Sequence, residues 1–253
     1  MTKSICFFFT LLLGAACQPQ HEAQQIIDQA IAVHGGKQLA QSRLSFDFRK
    51  KHFEVAIDQG LFRYESILKD SLGTMHDVLD NQGFDRMING EKLNLSEEDK
   101  ERFKNTLNSV IYFALLPFPL NDPAANKKYL GETSIKGEPY DEIEVTFSED
   151  GGGADHEDVY IYWIHQQNKT MDYLAYSFHV DGGGTRFREA YNVREIEGIR
   201  FADYINYEST EENFALEDYE KLFEEGKVEE LSRIELKNVE VSSTSAELAA
   251  SQK

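Results

Sequence analysis

What most restricts this chain is a long succession of short segments in which apolar and polar residues alternate, parted by Gly and Asn. Leu44, Phe46 and Phe48 fall on one side, with Ser45, Asp47 and Arg49 on the other. That two-residue period belongs to a half-buried strand. It restarts at Phe53, Val55 and Ile57 and recurs over 61–68, 72–80, 83–89 and 92–95, with Asn81-Gln82-Gly83 and Asn89-Gly90 as turns. Further strands are expected at 128–133, 134–136, 140–148, 159–165, 172–180, 185–196 and 199–207. A last one spans 233–241, where the alternation slips at Asn238 as a bulge would make it. Strand never alternates with helix in the βαβ manner, which excludes a doubly wound parallel sheet.

Three segments carry the helical period instead. Residues 22–34 place Ala23, Ile26, Ile27, Ala30 and Ile31 three and four apart and end at Gly35-Gly36, a C-terminal stop signal. Ser96 precedes a stripe of Phe103, Leu107, Val110, Ile111 and Ala114, and Asp99 stands where a capping partner belongs. Residues 215–225 form a short acidic helix with Leu216, Tyr219 and Phe223 inward. An open sheet must cover its apolar face, and these helices are the cover available. The expected fold is therefore α+β: a large curved antiparallel sheet, or incomplete β-barrel, closed by two or three helices.

The N-terminus reads as an address. Lys3 is followed by an apolar run over 5–13 and then by Gly14-Ala15-Ala16-Cys17, the order of a secretory signal. The run is shorter than the about 20 residues a spanning helix needs. Small residues directly before a Cys resemble the lipobox of bacterial lipoproteins. That resemblance implies removal of residues 1–16 and acylation of Cys17, with 17–21 as a short tether, 22–241 as one half-barrel domain and 242–253 as a flexible tail. At roughly 0.8 kcal/mol per buried methylene, two or three acyl chains hold a domain at a membrane nearly permanently. Gln18, in place of Asp, points to the outer membrane of a Gram-negative envelope.

The order of features resembles the envelope lipoprotein carriers and receptors of the LolA/LolB lipoprotein-localisation type. It runs from the helix ending His34-Gly35-Gly36 through the strands from Leu44 to Leu115-Leu116-Pro117-Phe118 and Tyr162-Trp163-Ile164. Tyr173-Leu174-Ala175-Tyr176, the run from Arg186 to Tyr191, and Gly198-Ile199-Arg200-Phe201 are similar to a family of such lipoproteins from Bacteroidota. The resemblance implies an apolar cavity able to take acyl chains, with the membrane anchor and a lipid or lipoprotein ligand as partners. Carriers that cross the periplasm are not themselves acylated, so a stationary binder fits better than a shuttle.

Charge narrows the function further. With 26 Lys and Arg against 45 Asp and Glu, the 253-residue chain carries −19, which argues against nucleic-acid binding. The two cysteines, 6 and 17, both precede the expected domain, so no disulfide framework or thiol nucleophile is available to it. Neither glycine triplet, 151–153 or 182–184, lies in a phosphate-binding pattern, and no cofactor is expected. The expected ligand-binding residues are Phe46, Phe48, Phe53, Phe62, Tyr64, Phe113, Phe118, Trp163, Phe178, Arg186 and Arg188, with Arg186 or Arg188 at the mouth to clamp a carboxylate or phosphate headgroup. Residues 110–120 would serve as a lid. The alternative is a metal-dependent hydrolase using Asp155, His156, Asp158 and His179, imidazole and carboxylate together suiting a divalent cation. A structural lipoprotein of an envelope complex is the third reading.

Overall fold

The computed structural model describes residues 19–58, 60–149, 157–179 and 182–243. Cys17 lies outside these residues, as do Asp155 and His156. Fourteen strands among them form two open seven-stranded antiparallel sheets. The first sheet is a meander of β1 (Ser42–Phe48), β2 (Lys51–Asp58), β3 (Leu61–Asp70), β4 (Gly73–Asp80), β5 (Gly83–Ile88) and β6 (Glu91–Lys92). The second contains β7 (Ala125–Ile135), β8 (Glu138–Phe147), β9 (Val159–His165), β10 (Met171–Phe178), β11 (Gly184–Ile196), β12 (Ile199–Ser209) and β13 (Val228–Ile234). A final strand, β14 (Lys237–Ser243), returns to the first sheet and pairs with β1, Leu44 opposite Val241.

The segment expected as one strand over 233–241 is thus two strands in different sheets. The chain crosses at Glu235-Leu236, and Asp203 holds the crossing. This carboxylate, 3% exposed, accepts from the Leu236 backbone N–H at 3.0 Å, from Arg194 at 3.1 Å and from Asn192 at 2.6 Å. Arg194 also donates to the Leu236 carbonyl. The expected bulge is present: pairing with β1 slips around Asn238, whose φ is 51°. Residues 134–136 form no separate strand: Ser134 and Ile135 end β7, which bulges between Tyr129 and Gly131, and Lys136 begins the turn to β8.

Helix α1 (Pro19–Val33) lies against β7 and β9, and Ala23, Ile26, Ile27 and Ala30 enter the core of the second sheet. Its end explains the His34-Gly35-Gly36 signature. Gly35 has φ 83°, and a Cβ there would stand 2.1 Å from the Gly198 carbonyl oxygen, so only glycine fits. Beside it the His34 ring bonds the Ala30 carbonyl through Nδ1 at 2.7 Å and accepts from Arg200 at Nε2, 3.1 Å away. Arg200 in turn pairs with Asp172 at 2.8 Å. The two motifs His34-Gly35-Gly36 and Gly198-Ile199-Arg200-Phe201 are one contact, fastening α1 and the one-turn α2 (Gly36–Leu39) to β12.

Helix α3 (Glu97–Ala114) joins the two sheets and packs on β3, β4 and β5. Ser96 caps it, its hydroxyl accepting from the Asp99 N–H at 3.1 Å. Leu107 and Ile111 are buried with Leu44, Phe46, Phe53 and Val55. Arg86 forks onto the buried Asp77 at 2.6 and 2.8 Å, and its guanidinium lies 3.4 Å from the Phe103 ring centroid, fixing α3 to the sheet. On the far face of the second sheet, α4 (Tyr219–Glu224) covers Trp163, Tyr173 and Phe187 through Tyr219 and Phe223. No helix among the described residues is long and apolar enough to cross a membrane.

Candidate functional site

Where the two sheets and α3 meet, a cleft of about 420 Å³ remains. Its floor is the inner face of the second sheet: Tyr160 from β9, Tyr176 and Phe178 from β10, Arg186 and Arg188 from β11, and Ala202, Tyr204 and Asn206 from β12. Alternation places these side chains together, because each strand contributes residues two apart while Trp163 and Phe187 point to the opposite face. One wall is Val110, Phe113 and Ala114 of α3; the other is Phe48 and Arg49 at the β1–β2 turn, with Ile234 and Leu236 at the crossing between sheets. The volume lies within the 300–1,000 Å³ of ordinary small-molecule sites, and the lining is mainly aromatic and aliphatic, as such sites are.

Two arginines on the floor differ in surroundings. Arg188 is 8% exposed. Its guanidinium donates to the Tyr176 hydroxyl at 2.8 Å and to Asn206 Oδ1 at 3.4 Å, and it lies 4.1 Å from the Phe113 ring centroid and 4.9 Å from that of Tyr176. Those are its only polar partners among the described residues. Arg186 is more open, donates to the Thr185 carbonyl, faces Glu208 at 3.8 Å and sits over the Phe178 ring. Burial pushes the Tyr204 phenol up to about 12, so it stays neutral. Among the described residues the one carboxylate of the lining, Asp158, lies 3.3 Å from His179 Nδ1.

Of the residues expected to bind a ligand, Phe48, Phe113, Phe178, Arg186 and Arg188 line the cleft. Phe46 and Phe53 stack at 5.2 Å inside the first sheet's core. Phe62 and Tyr64 pack beside them, Tyr64 bordering a second cleft of about 280 Å³ on the other side of α3. Phe118 belongs to a one-turn 3-10 helix over the first sheet's core. Trp163 is wholly buried under α4 on the far face. Residues 110–120 contribute Val110, Phe113 and Ala114 to the wall as the end of α3. Of the four residues offered for a metal, Asp158 and His179 meet; Asp155 and His156 lie outside the described residues. Among the described residues, no three His, Cys, Asp or Glu side chains converge.

Sequence reasoning missed Tyr160, Tyr176, Tyr204 and Asn206. The usable signal was alternation itself: once Arg186 and Arg188 share a face, their cross-strand partners Tyr176 and Asn206 must share it too.

No curated protein matches the sequence. Among solved structures, a DUF1329 family protein from Desulfovibrio piger superposes with TM-score 0.52 at 10% identity, covering 91% of this chain and 96% of its own. It shares the fold. A LolA superfamily protein from Nitrosomonas europaea gives TM-score 0.47 at 12% identity, with 87% and 91% covered. A domain of an outer membrane lipoprotein-sorting protein from Vibrio parahaemolyticus gives 0.41 at 7%, with 92% and 98% covered. The model of a family of unknown function, DUF6503, matches residues 2–236, and the chain belongs to that family.

Proposed function

We propose that this protein is a non-enzymatic, membrane-anchored binder of a hydrophobic or amphiphilic ligand, a lipid or acyl chain, in the bacterial cell envelope. The observation that carries this reading is the cleft between α3 and the second sheet. Phe48, Phe113, Tyr160, Tyr176 and Phe178 border open volume there, and the last four touch one another along its lining, so the cleft presents a continuous aromatic surface. Apolar surface facing a cleft gains about 25 cal/mol for each Å² covered by a ligand, so an alkyl chain is the natural occupant.

The anchor is Cys17, acylated after loss of residues 1–16, and the outer membrane is the proposed address. Helix α1 begins at Pro19 and the last strand, β14, runs to Ser243, so the tether between Cys17 and the folded chain is short and keeps the binding domain beside the bilayer. A chain of net charge −19 is repelled by anionic headgroups, which makes the covalent anchor its membrane contact. Radiolabelled palmitate should enter the wild-type chain and not a Cys17→Ala variant. Native mass spectrometry of protein lacking residues 1–17 tests the binding itself. A copurifying amphiphile, displaced by unfolding, is expected. A bare polypeptide mass that also ignores added lipid contradicts the reading.

A further inference from the structure

The charge of the cleft runs against the charge of the molecule. Across a chain with an excess of acidic residues, the lining brings together Arg49, Arg186 and Arg188 with Asp158 as the single carboxylate among the described residues. Asp158 is itself in contact with His179. Arg186 faces Glu208. Arg188 is different: a residue 8% exposed, set mid-strand on the cleft floor, with one phenol and one amide oxygen among the described residues for its five N–H donors. Guanidinium groups withdrawn from water are normally matched by a carboxylate or other anion. Stacking on Phe113 and Tyr176 accounts for its two faces and leaves its donor edge only partly used.

We infer that Arg188 is the anchor for an oxyanion headgroup, and that the ligand is an anionic amphiphile bound head inward, with its carboxylate or phosphate on the cleft floor. This rests on the hydrophobic-ligand reading above and adds the chemical class and orientation to it. The location differs from the expectation that Arg186 or Arg188 stands at the mouth. Arg49, exposed at the β1–β2 turn, is the guanidinium near the opening, and it draws the headgroup in through the otherwise negative surroundings. The alkyl chain then lies against Phe48, Val110, Phe178 and Ile234, leading back toward the opening beside Arg49.

The test compares myristate, myristyl phosphate, methyl myristate and inorganic phosphate by calorimetry on the full chain carrying Cys17→Ala. Myristate or myristyl phosphate should bind about 10- to 100-fold more tightly than the methyl ester, the range expected of a charge-assisted hydrogen bond. Which of the two binds better identifies the headgroup, and inorganic phosphate alone should bind at least 10-fold more weakly than either. Arg188→Met, which keeps the stem packed between the rings, should erase the preference, so that acid, phosphate and ester bind with similar affinity. Arg188→Lys should retain part of it. Equal affinity of the wild type for acid, phosphate and ester overturns the Arg188 inference and leaves the hydrophobic-ligand reading standing. Failure of every chain-bearing probe to bind overturns both. The wild-type comparison holds even if Arg188→Met does not fold.

Discussion

Two titratable residues, His34 buried and Glu142 half-buried, make stability depend on pH in opposite directions. His34 is held down to about 4 by burial first and then by the Arg200 guanidinium that faces its Nε2. Its ordinary value is 6.5, so the unfolded chain takes up this proton first on acidification. The stability tied to neutral His34 is complete above pH 6.5 and erodes as pH falls toward 4, by up to about 3 kcal/mol. Urea unfolding at pH 7 and pH 4.5 should show that fall, and His34→Gln should flatten it. Glu142 behaves oppositely. Burial, then the nearby Glu220, lifts it to about 8, and Glu142 Oε1 and Glu220 Oε2 lack partners among the described residues. Stability tied to its protonated form is complete below 4.5 and is lost as pH rises through 8. Glu142→Gln should therefore raise the melting temperature at pH 9 and change it little at pH 4.5. Equal effects at both pH values would count against that assignment. Gly35→Ala, forced into φ 83° against the Gly198 carbonyl, should cost more than about 2 kcal/mol in chemical denaturation.

Elements obeyed local pattern wherever one face was dry and the other wet. The β1 alternation and the Ser96 cap lie where the residues say, and Ser96→Ala should cost about 1 kcal/mol. Legibility failed for two physical reasons. β9 is buried nearly throughout, so its alternation does not reveal which face meets α4 and which the cleft, and Trp163 was assigned to the wrong one. Between β13 and β14, Glu235-Leu236 contains no Gly, Pro or Asn, so a change of sheet reads as a continuous strand. The turn is imposed by Asp203, more than thirty residues earlier in sequence, through a bond to the Leu236 N–H. Asp203→Ala should unlock it. Amide exchange at Leu236 and along β14 should accelerate more than exchange in β2, whereas uniform acceleration would mean general destabilisation.

At the scale of the molecule, both sheets are meanders, so most pairings are local and only β14 with β1 joins distant ends. The α+β class and open antiparallel form were readable because local pairing follows from alternation and turns. The cleft was not, because its volume depends on how far α3 stands from the second sheet, and no residue pattern encodes a gap. A ligand that fills it stabilises the fold by mass action, about 2.7 kcal/mol at a hundredfold excess over Kd. Trp163 faces away, so its fluorescence should stay constant during binding while the melting temperature climbs. The most direct measurement is a crystal structure with a terminally brominated acyl chain, located by the bromine's anomalous signal. One bromine peak between α3 and strands β10–β12 is predicted; a closed cleft, with bromine only on the outer surface or nowhere, would contradict the account.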